Sequence, residues 1–216
     1  MNGVKEALML YGVTDRHWLK DKSLHDAVEE AIQGGTTFIQ LREKDDMALS
    51  HDAFLQEAID IQALCKAYHV PFVLDDDVAL AKEINADGVH VGQSDMEAGN
   101  VRALLGPNKI IGVSAETVEE AIAAEKCGAS YLGVGAIFPT GSKADAKNVS
   151  MDTLHAICEA VHIPVIAIGG ISKSNVHQLK HSGIVGIAVI SAIFAQNDIK
   201  QACIELKEET RKMLYD

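Results

Sequence analysis

Gln40, Arg42 and Lys44 end an apolar run that opens with Phe38 and Ile39. On a strand, alternate residues share a face, so the amide, the guanidinium and the ammonium line up together, while Ile39, Leu41 and Glu43 point the other way. A guanidinium grips phosphate as a fork and an ammonium as a point charge, so this strand end suits an anionic, phosphate-bearing ligand. Further on stand the consecutive carboxylates Asp75, Asp76 and Asp77, with Asp95 following after one more apolar run. A helix over 78–84 needs one N-cap, and Asp77 is placed to be it. Asp76 and Asp95 are then left as hard oxygen ligands from neighbouring strand ends. Such a pair suits Mg²⁺, which typically takes one or two carboxylates and completes its shell with phosphate oxygens and water.

Two later segments extend the pattern. Residues 139–150 form a long connection carrying Thr140, Gly141, Ser142, Lys143 and Lys147. Strand-to-helix loops usually run about 2–6 residues, so this one reads as a binding loop or lid. It is not a Walker A loop, because its Gly-Ser-Lys order is wrong. Gly169-Gly170 and Ile190-Ser191 follow the last two apolar runs, where backbone N–H groups and a helix start commonly hold phosphate in a barrel.

These residues need a frame that brings distant strand ends together. Apolar runs occur at 8–13, 38–41, 71–74, 88–91, 109–113, 131–137, 164–168 and 186–190. Helical patterns lie between them, including 23–33, 50–68, 117–127, 151–161 and 199–214. Glycines at 34–35, 106, 128 and 183 mark helix exits. Nearly continuous apolar strands alternating with helices imply a parallel sheet covered by helices. The closure that fits is a single (β/α)8 TIM barrel spanning 1–216, shorter than the roughly 250 residues usual for that fold. A doubly wound open sheet is the alternative, but it wants a glycine-rich turn after the first strand, where Thr14-Asp15-Arg16 stands. In a barrel the chemistry sits at the C-terminal strand ends. Here those ends are polar in almost every unit, with Ser114 closing the fifth, and the strand beginnings carry no comparable set. His90 reads as a hydrogen-bonded core histidine, and Arg16 and Trp18 border the mouth without a defined role.

Composition narrows the classes. Acidic residues outnumber basic ones 31 to 19, for a net charge of −12 over 216 residues, which argues against nucleic acid as partner. No signal-peptide pattern or bilayer-length apolar run is present, so the chain reads as soluble and cytoplasmic. Cys65, Cys127, Cys158 and Cys203 are far apart and read as reduced core residues. Nothing fixes the oligomeric state, and a homo-oligomer stays open.

The motifs Tyr11-Gly12-Val13-Thr14-Asp15, Gln40-Leu41-Arg42-Glu43-Lys44, Asp75-Asp76-Asp77-Val78, His90-Val91-Gly92-Gln93-Ser94-Asp95, Gly112-Val113-Ser114, Gly133 through Lys143, Ile168-Gly169-Gly170-Ile171 and Val189-Ile190-Ser191-Ala192 occur in this order. Together they resemble the thiamine-phosphate synthase family along the whole chain. The resemblance implies a (β/α)8 transferase that joins a hydroxymethylpyrimidine pyrophosphate to a thiazole phosphate and releases pyrophosphate. It implies that Gln40, Arg42, Lys44, Asp75, Ser114 and Lys143 hold the pyrimidine substrate, and that Asp76 and Asp95 bind Mg²⁺. Thr140, Ser142, Gly170, Ile190 and Ser191 would hold the thiazole phosphate, with Arg42, Lys44, Lys143 and Ser114 serving the chemistry. Two positions depart from the family pattern: Asp75 stands where Asn is usual, and Ser142 where Thr is common. A carboxylate at 75 would repel pyrophosphate unless it were protonated or shared with a metal. The competing readings are a thiazole tautomerase-like isomerase, another phosphate-binding barrel enzyme, and a non-catalytic thiamine-phosphate sensor.

Overall fold

The apolar runs become eight parallel strands that pair in chain order and close, the last on the first. They are β1 (Leu10–Val13), β2 (Phe38–Leu41), β3 (Phe72–Asp75), β4 (Gly88–Val91), β5 (Ile110–Ala115), β6 (Tyr131–Val134), β7 (Val165–Ile168) and β8 (Gly186–Val189). The computed structural model describes residues 2–19, 22–43, 48–141 and 148–216. The expected (β/α)8 barrel is the observed fold, and no open sheet edge remains.

Helices α1 (Asn2–Ala7), α2 (Leu24–Gln33), α3 (His51–Ala67), α4 (Val78–Glu83), α5 (Ala98–Leu105), α6 (Val118–Lys126), α7 (Met151–Ala160), α8 (Ser191–Phe194) and α9 (Ile199–Tyr215) accompany the strands. Their starts follow from short polar side chains that satisfy exposed N–H groups. Ser23, Asp77, Ser150 and Asp198 each accept from the third residue on, and Thr117 forms a reciprocal capping box with Glu120. Each such cap contributes about 1 kcal/mol. One unit departs from the alternation: between β7 and β8 the connection is a 3₁₀ turn, Val176–Leu179.

Strand parity sorts the core into two layers. Ile39, Leu41, Leu74, Val89, Val113 and Leu132 face the helices. Tyr11, Val13, Phe38, Val73, Tyr131, Ile166 and Ala188 fill the barrel interior. Tyr11, Phe38 and Tyr131 pack as tilted and edge-on aromatic pairs, with centroids 4.4 to 6.0 Å apart. That plug seals the barrel below its C-terminal mouth, so polar groups one step higher on the strands look into an open rim. Among the described residues, no helix is long and apolar enough to cross a membrane.

Among the boundaries that differ from the sequence pattern, two have a visible cause. The run 131–137 is strand only to Val134, because Ile137 and Phe138 turn to bond Ile168 and Gly169 through their backbone N–H groups. β1 begins at Leu10, with Leu8 bonded back to Lys5 as the preceding helix ends. Of the cysteines, Cys65 and Cys203 are buried, whereas Cys127 and Cys158 are only partly covered.

Candidate active site

At the end of β2, Gln40 and Arg42 share the inward face as their spacing requires, and both meet Asp75 at the end of β3. The Gln40 side-chain amide donates to Asp75 Oδ1 at 3.2 Å. The Arg42 guanidinium donates from Nη1 to Asp15 Oδ2 at 3.3 Å, and its Nε lies 3.7 Å from Asp75 Oδ2. Its backbone N–H is fixed by the buried Thr14 hydroxyl at 3.0 Å. Arg42 is therefore aimed by short local contacts, and among the described residues its charge meets carboxylates at the long end of hydrogen-bonding distance. A phosphate could replace them. Asp15 is the part of this arrangement that spacing alone does not announce.

Glu43 points the opposite way. It accepts both Nε and Nη2 of Arg16 at 3.2 Å and the backbone N–H of Leu49 at 2.8 Å, and Arg16 also bonds Glu57. Arg16 thus has a role: it joins the turn after β1 to the end of β2 and to α3. Burial pushes the Glu57 carboxyl upward, against the opposing pull of Arg16. Lys44 itself lies outside the described residues.

The carboxylates divide their work. Asp77 caps α4 by accepting from Leu80 N–H at 2.9 Å, the role expected for it. Asp76 has a left-handed backbone (φ 60°), and its N–H donates to the carbonyl of His90 on β4 at 2.8 Å. A non-glycine residue in that region is strained, and such strain is characteristic of ligand-holding positions. Asp95 is exposed and uses Oδ2 to accept from Gly92 N–H at 2.8 Å. Asp76 and Asp95 thus stand just past the ends of the paired strands β3 and β4. Among the described residues, no group of three or more His, Cys, Asp or Glu side chains comes together. A pair of carboxylates just past neighbouring strand ends is still compatible with Mg²⁺, which draws most of its shell from phosphate oxygens and water.

Ser114, on β5, is bonded through its hydroxyl to His90 Nε2 at 3.0 Å. His90 Nδ1 is 2.9 Å from the Tyr131 hydroxyl, which is 2.9 Å from that of Tyr11. His90 is hydrogen-bonded inside the barrel, as expected, but it also touches Ser114, one of the expected site residues, a contact that the sequence pattern did not suggest. The signal was present: His90, Gly112, Ser114 and Tyr131 all fall on inward strand positions. Burial holds both tyrosine hydroxyls well above the usual range, so they stay protonated.

The residues expected to hold the thiazole phosphate are described in part. Gly170 has φ +63°, and a Cβ there would stand 2.4 Å from the carbonyl oxygen of Pro139, so only glycine lets the loops after β6 and β7 touch. Asn175 donates to the Gly170 carbonyl at 2.9 Å and fixes that turn. Ile190 is the residue before α8, which opens with Ser191, and its carbonyl accepts Phe194 N–H at 2.9 Å. Thr140 begins the long loop and is half-buried. The far end of that loop is anchored by Val149, buried and bonded to the Ala136 carbonyl at 2.8 Å. Ser142 and Lys143 lie outside the described residues. Burial pushes the Cys65 thiol up to about 12 and those of Cys158 and Cys203 up to about 11, so none of these three is a thiolate nucleophile at neutral pH.

Comparison with known proteins gives a consistent answer. The family model described as thiamine monophosphate synthase matches residues 10–193. A thiamine-phosphate synthase of Clostridium tetani is 51% identical over 197 residues, covering 91% of this chain and 93% of the relative. One from Ruminiclostridium cellulolyticum is 52% identical over 199 residues, covering 92% and 93%. Among solved structures, the thiamine phosphate pyrophosphorylase of Pyrococcus furiosus superposes with a TM-score of 0.88 at 38% identity, over 98% of this chain and 99% of that one.

Proposed function

The chain belongs to the thiamine monophosphate synthase family, as a transferase that condenses a pyrimidine with a thiazole to make thiamine phosphate, and we propose that the residues at its barrel mouth carry out that reaction as follows. The observation that supports this assignment is the inward pair Gln40 and Arg42 meeting Asp75 above the aromatic plug. Gln40 offers an amide to the aminopyrimidine ring. Arg42, Lys44, Lys143 and the Ser114 hydroxyl take the pyrophosphate. Thr140, Ser142, Gly170, Ile190 and Ser191 take the thiazole phosphate, in the region where this fold commonly binds phosphate.

The bond from the pyrimidine's methylene carbon to oxygen breaks, and its electron pair leaves with pyrophosphate. The positive charge left behind spreads into the aminopyrimidine. The lone pair of the thiazole nitrogen then forms the new C–N bond, so no protein nucleophile is needed. Cations and hydroxyl donors aimed at the leaving oxygens stabilise charge that develops only as the bond breaks, which is where such interactions accelerate a reaction. Water competes with the thiazole nitrogen for the cation, and excluding it is the role we assign to the segment 139–150. Asp76 and Asp95 would hold Mg²⁺, which when bound neutralises part of the pyrophosphate charge. The enzyme works on small molecules in the cytoplasm, without nucleic acid or membrane.

The test is thiamine phosphate formation from the two purified substrates, with and without Mg²⁺. Metal-dependent product is expected. No product, together with saturable binding of the thiazole phosphate, would overturn the catalytic reading in favour of an isomerase or a sensor.

A further inference from the structure

A hydrogen-bonded chain crosses the barrel interior from Tyr11 through Tyr131 and His90 to Ser114, with links of 2.9, 2.9 and 3.0 Å. Both tyrosines are buried, and Ser114 is half-exposed at the rim. The space for this chain is built into the backbone. A Cβ on Gly112 would fall 2.3 Å from the Tyr131 ring carbon and hydroxyl and 2.4 Å from His90 Nδ1. Glycine at 112 is therefore what allows the imidazole and the phenol to meet.

Counting protons fixes the direction of the chain. Among the described residues, Tyr11 hydroxyl has one hydrogen-bond neighbour, the Tyr131 hydroxyl. A buried donor without an acceptor costs the full desolvation of that group. Tyr11 must therefore donate to Tyr131. Among the described residues, the Tyr131 proton then has one acceptor in reach, His90 Nδ1, which must accept. A neutral imidazole that accepts at Nδ1 carries its hydrogen on Nε2, because the bond made by one ring nitrogen sets the state of the other. Nε2–H donates to Ser114 Oγ, and the serine's own proton is left to point elsewhere. The reverse direction would have Ser114 donate to Nε2 and would strand the Tyr11 proton in the interior. A doubly protonated ring strands the same proton.

We infer that Tyr131 and His90 are positioning residues that commit the Ser114 hydroxyl to donating its proton into the barrel mouth, toward an oxygen of the departing pyrophosphate. The inference rests on the reading of Ser114 as a pyrophosphate contact and adds what makes it a donor. With Nε2–H occupying an oxygen lone pair, Ser114 cannot give its proton to His90. The donor is thus oriented before substrate arrives, and no reorganisation is needed when charge builds on the leaving group. The direction is set in the interior, at Tyr11, by a group that never meets the substrate.

Two measurements test it. The first is the tautomer of His90 in the full-length protein, read from imidazole nitrogen NMR and assigned by loss of the signal in His90→Gln. A bare Nδ1 with hydrogen on Nε2 is expected. Hydrogen on Nδ1 would overturn the inference even if the protein makes thiamine phosphate normally and loses turnover on Ser114→Ala, so the catalytic reading would survive alone. The second is a double-mutant cycle on turnover. Tyr131→Phe frees the tautomer, and kcat should fall about tenfold while the KM for thiazole phosphate holds. In a Ser114→Ala background the same substitution should change kcat by less than about twofold, because coupled positions do not add. Equal falls in both backgrounds would reduce Tyr131 to packing and overturn the inference. Wild-type turnover in Ser114→Ala would remove Ser114 from the reaction and overturn the inference together with that part of the catalytic reading.

Discussion

Arg42 and Arg102 sit at opposite ends of the same barrel and are held in opposite ways. Arg102, on α5, donates from Nη1 to the carbonyls of Gly106 and Lys109 at 2.9 and 2.6 Å, and from Nη2 to the Gly128 carbonyl at 2.8 Å and Ser130 Oγ at 3.3 Å. Those acceptors belong to the turns that enter β5 and β6, so one guanidinium pins the N-terminal rim together. Arg42 instead faces the carboxylates of Asp15 and Asp75 at 3.3 and 3.7 Å, at the rim where the chain's polar strand ends gather. Backbone carbonyls are fixed, neutral acceptors that no solute displaces. Carboxylates at long range hold a cation in place while leaving it able to bind an incoming anion more closely. The same side chain becomes a structural rivet or a working group according to which acceptors the fold supplies.

Removing each arginine in turn tests that contrast. Arg42→Ala should lower kcat/KM about a thousandfold, the range seen when one donor to a developing anion is lost, and leave the thermal transition close to that of the parent. Arg42→Lys should recover only part of the loss, because a point charge cannot replace a fork. Turnover near the parent value in Arg42→Ala would end the claim that this arginine serves the substrate. Arg102→Ala should do the reverse. Stripping a charged donor from partly buried carbonyls should cost about 2–4 kcal/mol of unfolding free energy in a denaturant titration, with kcat per folded molecule unchanged. A fall in kcat without a loss of stability would mean that the two ends of the barrel are coupled and that the division drawn here is wrong.

The difference between the arginines also explains what could be read from the sequence. Arg42 announced itself because its neighbours at two-residue spacing carry a local message: strand period puts it with Gln40, and the strand end puts both at the mouth. Asp77 was legible as a cap for the same reason, since its partner Leu80 is three residues away. Arg102 looks like any polar residue on an amphipathic helix, because its acceptors reach as far as 28 positions along the chain. His90 falls between these cases. Parity aimed it inward, but only the register of β4 against β5 brings it to Ser114, and short strands do not declare their register in composition. The strand expected to run to 137 failed for a related reason: continuous apolar character persists through Ile137, while the backbone has already left the sheet to meet the turn after β7. Side-chain character alone does not distinguish a buried strand from a buried turn.

The finest test of the comparison is Asp75, one of the two carboxylates that make Arg42 exchangeable. It both accepts from Gln40 and faces Arg42. With pyrophosphate on Arg42, as proposed, the two anions would share one cation in a half-buried site. Asp75→Asn removes that repulsion and keeps a side-chain oxygen for the Gln40 amide. Asp15 remains to aim the guanidinium. A charge pair a few ångströms apart at a protein rim is worth about 1 kcal/mol, so the KM for the pyrimidine pyrophosphate should fall by about fivefold, with kcat equal or higher. If the substitution instead abolishes turnover, the carboxylate is itself used at the mouth, most directly beside Asp76, the proposed metal ligand. Arg42 would then be held by a group with its own catalytic duty, and not by a loose partner that a substrate displaces.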